Sequence, residues 1–250
     1  MFPLRDDNPT LGTSVATFAI IGLNVAAWVL AQGLGSEPAL SRSVCTLGAI
    51  PGDLLGNVAA GTRIPIGPGA VCEIGGEANF ITILTSMFMH GGWLHILGNL
   101  WFLYIFGDNV EDSMGPVRFI LFYLTCGIAA VAAQTWSDPT SAIPMVGASG
   151  AIGGVMGAYA VLYPRARVHM LVVLGFYVTR IVVPAVLMLG YWLLLQLVSG
   201  IPALEGSGGG IAFWAHIGGF VAGIVLIFPF RDARRVAAHR AHHARVYAGR

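Results

Sequence analysis

The chain has no lysine and little charge of either sign: 10% of its 250 residues are charged, against 56% hydrophobic. A soluble domain carries about 25% charged residues, so this shortage excludes an ordinary water-soluble globule and marks a membrane protein. The opening residues, MFPLRDDNPT, lack the basic stretch and small-residue cleavage site of a secretory signal. The first apolar run therefore reads as a retained helix. No H-E-x-x-H occurs. His90, His95 and His216 all lie in reach of the outer half of the membrane, but H-x4-H does not put two rings on one helix face, so neither a metal nor another cofactor is expected. The apolar runs also hold no arginine or carboxylate at mid-depth of the kind an ion relay needs, which argues against a transporter or channel.

What the sequence does have is apolar length. A bilayer-spanning helix needs about 20 mostly apolar residues, and such runs lie near 14–32, 93–107, 117–134, 149–163, 181–199 and 210–230. Only helices and closed barrels satisfy their backbone groups in hydrocarbon. The expected fold is an all-α polytopic bundle of six transmembrane helices, one domain over 1–250 with its core at about 14–230. The basic residues set its orientation. With six spans, eleven of the thirteen arginines fall on the side of the two termini, leaving only Arg42 and Arg63 opposite, so both termini are expected in the cytoplasm. The stretch 168–180, VHMLVVLGFYVTR, is apolar but too short to cross, and is read as an interfacial segment or hairpin leading into the fifth span. The tail 231–250, basic and histidine-bearing, reads as a frayed cytoplasmic helix resting on anionic headgroups rather than as a nucleic-acid or metal site.

Polar residues inside apolar runs are costly and point to function. His95 and Asn99 open the second span, four apart and so on one helix face; Ser149 opens the fourth, and His216 lies in the sixth. The fourth run, at 1.5 Å per residue, is roughly 22 Å long against a core of about 30 Å. Arg165 and Arg167 anchor its cytoplasmic end, so Ser149 is expected roughly 8 Å below the outer surface, with His216 and Asn99 at about the same depth and His95 one turn higher. A lone serine there would be a helix N-cap. With a histidine at the same level it becomes a candidate nucleophile, because a base must take its proton before it can attack. Asn99, His95 and the Ser149 backbone N–H are candidate donors to an oxyanion. The nearest outer carboxylates, Asp138 and Glu205, lie in loops, so the expectation is a Ser-His dyad without a buried acid. His90 reads as a structural hydrogen-bonding residue. The glycines that follow Ser149, with Gly219 and Gly223, recur at helical spacing and read as helix-packing positions.

These motifs carry a resemblance. GASGAIGGVMGA is similar to the GxSG motif of rhomboid intramembrane serine proteases, AHIGGFVAG to their AHxGGxxxG, and HGGWLHILGNLWFLYIFGDNVED to their HxxxxHxxxN segment followed by GxxxE. IPGDL and GPVRFILFYL are similar too, so the likeness runs in order from about 50 to 225. It implies Ser149 as nucleophile, His216 as base and acid, and His95, Asn99 and the Ser149 N–H as oxyanion donors. It also implies a six-helix fold with a water-filled cavity open to the extracytoplasmic side, a membrane-embedded first loop, and a fifth helix gating lateral entry. The implied partners are the bilayer and single-pass transmembrane protein substrates, and the implied location is the bacterial cytoplasmic membrane. Gly153 departs from the pattern, standing where some members carry an aromatic residue that stacks on the histidine. The His216 ring is therefore expected to be held by close helix packing or by a different aromatic. A non-catalytic rhomboid-like protein that binds membrane clients is the alternative; such proteins lack the serine or the histidine, and this chain has both. Cys45 and Cys72 share the first loop on the oxidising side, which makes them candidates for a disulfide; Cys126, in the third span, reads as a small hydrophobe.

Overall fold

The computed structural model describes residues 2–67, 69–76, 78–204 and 212–248. In chain order these form β1 (Phe2–Asp6), α1 (Val15–Leu30), α2 (Ala39–Leu47), α3 (Pro51–Leu54), β2 (Arg63–Gly67), β3 (Ala70–Glu73), α4 (Thr82–Thr85) and α5 (Trp93–Met114). There follow α6 (Pro116–Ser137), α7 (Ser149–Leu162), β4 (Arg167–Leu174), β5 (Tyr177–Pro184), α8 (Ala185–Leu204), α9 (Phe213–Phe230) and α10 (Ala233–Ala248). Two helices, α6 and α9, are long and apolar enough to cross a membrane, while α1, α7 and most of α8 are shorter apolar helices. The sixth apolar run was expected to begin near Gly210 and the loop before it to hold Glu205; both positions lie outside the described residues.

The chain is mostly helical but not all-α, and the difference has local causes. The stretch 168–180 belongs to an antiparallel β4–β5 hairpin, onto which β1 adds as a third strand. Both hairpin strands are rich in valine, which fits a pleated surface, and Gly175 supplies the left-handed φ of +59° that the tight turn needs. The fifth run becomes helical only at Ala185, because Val182 and Val183 still pair with β4 and Pro184, with no N–H, closes the ladder. A second hairpin, β2–β3, lies in the first loop, where a Cys45–Cys72 disulfide ties it to α2.

At the centre lies α7, with every residue from Gly150 to Tyr159 buried and with α5, α6, α8 and α9 around it. Against α9 the two backbones meet directly. A methyl group on Gly219 would overlap the carbonyl of Gly150, and one on Gly223 would overlap the carbonyl of Gly154. Helices in lipid gain by such close approach, since the surrounding tails offer no hydrophobic drive for association. At the other side of the bundle, Glu111 of α5 caps α1: its carboxylate accepts from the N–H groups of Ala16 (2.9 Å) and Thr17 (2.7 Å) and from the Thr17 hydroxyl (2.8 Å). A carboxylate at a helix N-terminus satisfies free N–H groups and faces the positive end of the dipole. One turn earlier, a side chain on Gly107 would strike Thr17 at 2.9 Å, so the GxxxE pair acts as a seat for α1.

The tail differs from its expected frayed state. In α10 the residues Val236, His239, His243 and Tyr247 recur three or four apart and so share a face. His239 is buried, with its ring 4.6 Å from that of Tyr163, and the Tyr247 hydroxyl donates to the Asp7 carbonyl at 3.1 Å. Burial, with His243 and His242 nearby, lowers the pKa of His239 to about 4, so the helix docks with this ring neutral. Its contribution to docking is present above about 6.5 and is lost as pH falls toward 4. Asp6 acts in the opposite sense: burial raises its carboxyl to about 6 although the Tyr159 hydroxyl donates to it, so its share weakens as pH rises. Lowering the pH from 7 to 4.5 should reduce the protection factors of the α10 amides, their exchange corrected for the intrinsic pH dependence, and His239→Gln should abolish that reduction. Equal protection factors at the two pH values in the wild type would contradict the assignment.

Candidate active site

Ser149 is positioned from the chain on its N-terminal side. Ala49 and Met145 exchange backbone hydrogen bonds of 3.0 and 2.7 Å, and the Gly147 N–H donates to the Ser86 carbonyl at 2.9 Å. The first loop thus holds the approach to α7. Gly147 has a φ of +130°, and a methyl group there would sit 2.7 Å from His95 Nε2 and 3.4 Å from Ser149 Oγ. The first glycine of the GxSG motif therefore keeps open the space between that ring nitrogen and the serine hydroxyl. No side chain caps the first turn of α7, which leaves its leading N–H groups, that of Ser149 among them, without a side-chain acceptor.

His216 stands three residues into α9, and its Nε2 is 2.8 Å from Ser149 Oγ. Its Nδ1 lies 2.8 Å from Oε1 of Gln196 on α8. An amide oxygen only accepts, so Nδ1 carries the ring proton and Nε2 is left as the acceptor for the serine hydroxyl. One turn before Gln196, Trp192 lies against the same ring, with centroids 5.9 Å apart and planes tilted by 40°. Both expected ways of holding the ring are present. Gly153 is an approach position, where a Cβ would fall 3.0 Å from the His216 carbonyl oxygen and 3.4 Å from the Phe220 nitrogen. An aromatic there would push α9 away, and the indole comes from α8 instead.

On α5, His95 is half-buried and its Nδ1 accepts the Gly91 N–H at 3.2 Å, which leaves Nε2–H as the donor facing Gly147. Asn99, one turn on, is buried, and its Nδ2 has no hydrogen-bond partner among the described residues. A buried donor left unmatched costs about 1–3 kcal/mol. His90 serves His95: the two rings meet edge to face at 5.2 Å, while Gln32 grips the His90 backbone, accepting from its N–H and donating to its carbonyl, both at 2.8 Å. A cavity of about 30 Å3 beside Ser149 is lined by Ser86, Gly147, Gly150 and Ala215, room for a small molecule such as water rather than for a peptide. Asp138 stays in its loop, accepting from the Thr140 hydroxyl. His169 of β4 pairs with Asp7 at 2.8 Å in the β-sheet region.

A family model for the Rhomboid domain matches residues 77–233, more than half of the chain. The chain belongs to the rhomboid family. Among curated rhomboids, it is 33% identical over 147 residues to the Rhomboid protease GluP of Bacillus subtilis, covering 59% of this chain and 26% of that one. It is 30% identical over 154 residues to the chloroplastic Rhomboid-like protein 11 of Arabidopsis thaliana, covering 58% and 50%. With the mitochondrial Rhomboid protein 1 of Saccharomyces cerevisiae the match is 30% over 96 residues, 37% and 28% of the two chains. The chain thus spans about half or less of the length of these relatives. Rhomboids are integral membrane proteins, and the organellar and bacterial names among these relatives leave the choice of membrane open.

Two residues of this constellation were missed in the sequence. Gln196 was the one to find, as an amide inside the leucine-rich run YWLLLQLV with Trp192 four residues before it. If Gln196 sets the ring, nitrogen-15 histidine NMR of the purified protein should show His216 protonated at Nδ1, and Gln196→Leu should move it toward a mixture of tautomers. An unchanged His216 signal in that variant would remove Gln196 from this role.

Proposed function

We propose that this rhomboid is an intramembrane serine endopeptidase that hydrolyses peptide bonds in or near the transmembrane segments of single-pass membrane proteins. The observation that carries the reading is the 2.8 Å contact between Ser149 Oγ and His216 Nε2, made by a ring whose other nitrogen is engaged by Gln196. His216 Nε2 takes the hydroxyl proton as Oγ attacks the scissile carbonyl. Negative charge then develops on the carbonyl oxygen, beside the space that Gly147 keeps clear. The Ser149 N–H, His95 Nε2–H and Asn99 Nδ2 are the donors that meet it, and the unmatched amide of Asn99 supports that assignment. The imidazolium returns the proton to the leaving amine, giving an acyl-enzyme, and a water activated by the same ring releases the new carboxyl end. Among the described residues the group on the far nitrogen of the base is not a carboxylate but the neutral amide of Gln196. The GluP relative is itself named a rhomboid protease.

The same reading includes a six-span bundle with both termini cytoplasmic and the site opening to the extracytoplasmic side. At 14 residues, α7 is about 21 Å long, which supports a serine that begins its helix below the outer surface of a core about 30 Å thick.

With the purified protein and a model single-pass substrate in lipid vesicles, Ser149→Ala and His216→Ala should each abolish cleavage. Asn99→Ala should lower kcat by about 10²-fold while changing KM little, as expected for a donor used in the transition state. Cleavage that survives either dyad substitution refutes the mechanism, and wild-type protein that binds the substrate without cutting it would favour the client-binding alternative.

A further inference from the structure

Far from the dyad, at the opposite end of α7, lies a cleft of about 630 Å3 between the α7–β4 turn, the residues after β1 and the inner face of α10. Its apolar floor includes Leu162, Tyr163 and Pro164, and its rim carries Arg165, Arg167 and Arg240. None of these three arginines has an ion-pair partner among the described residues. The acid in the lining, Asp7, is already engaged, by His169 Nε2 at 2.8 Å and by Arg5 at 3.7 Å. Arg165 of the turn, Arg167 of β4 and Arg240 of α10 thus line one opening without an ion-pair partner among the described residues. Guanidinium forks suit phosphate oxygens in particular.

We infer that this cleft binds a phosphate ester, the headgroup of an anionic phospholipid, with the glycerol and first acyl carbons over the tyrosine-proline floor. The chemistry of recognition is that of phosphate, whether lipid-borne or free. Two features point to the lipid. The floor is apolar, which a free phosphate would not use. The cleft also sits where the apolar α7 gives way to arginine, the level at which basic pockets meet the phosphates of a leaflet. Because α10 forms one wall, an occupied cleft would hold the tail helix to the helical bundle, and this inference stands apart from the catalytic reading.

The test uses the full chain in neutral detergent, with melting temperature followed against added phosphatidylglycerol, phosphatidylcholine or inorganic phosphate. Phosphatidylglycerol should raise the melting temperature saturably, and the other two should not at the same concentrations. The triple variant Arg165→Gln, Arg167→Gln, Arg240→Gln should need about tenfold more phosphatidylglycerol or beyond, and Arg240→Gln alone about fivefold more. Arg42→Gln, in the first loop, should match the wild type. An equal response to phosphatidylcholine, an equal response to inorganic phosphate, or arginine variants that respond like the wild type would each overturn the proposal.

Discussion

The contact on which the rest depends is backbone against backbone between α7 and α9. Gly150 faces Gly219, and Gly154 faces Gly223; the two pairs advance by four residues on each helix, so one register holds over about one turn. With no side chain between the helices there is no soft layer to absorb error. Ser149 and His216 sit at the end of that seam, and their separation is inherited from it. In water a serine-histidine pair would rest on a large hydrophobic core; here the surrounding lipid is as apolar as any side chain, and close packing must supply the precision.

Around that seam the remaining elements divide the work of aiming the groups. The first loop, stapled by its disulfide, grips the residues before Ser149 through Ala49 and Ser86. From α5 come His95 and Asn99, and the same helix holds α1 through Gly107 and Glu111. From α8 come Trp192 and Gln196, one on the face of the His216 ring and one on its far nitrogen. These last two belong to one helix, so any displacement of α8 would loosen both restraints on the His216 ring at once.

Much of this was legible because lipid makes polar residues expensive. Ser149, His216, His95 and Asn99 stand out from their runs, and simple helical rise puts the first two level with Asn99 and His95 one turn higher. The glycines were legible as packing positions for the same reason, since nothing else explains small residues at such spacing. Other features escaped for physical reasons. The strand β1 is five residues long and acquires its pairing from β4, more than 160 residues on, a contact that leaves no local periodicity. The hairpin could be suspected but not told from an interfacial segment, because valine-rich runs suit both. The tail's inward face depends on a histidine, which reads as polar until it is seen neutral against Tyr163. Gln196 was the avoidable omission, being as conspicuous in its run as Asn99 was in its own.

The central claim is that glycine-to-backbone contact sets the reactivity of Ser149, and the most direct test is the rate at which an activated fluorophosphonate labels that serine. Gly223→Ala puts a methyl group against the Gly154 carbonyl, two turns beyond His216 and touching neither member of the pair. Gly190→Ala, on α8 with open space around it, is the control. The account predicts labelling slowed by about 10²-fold in Gly223→Ala, the scale expected for a displacement of about 1 Å, with Gly190→Ala unchanged and both proteins folded. Labelling of folded Gly223→Ala at the wild-type rate would contradict it.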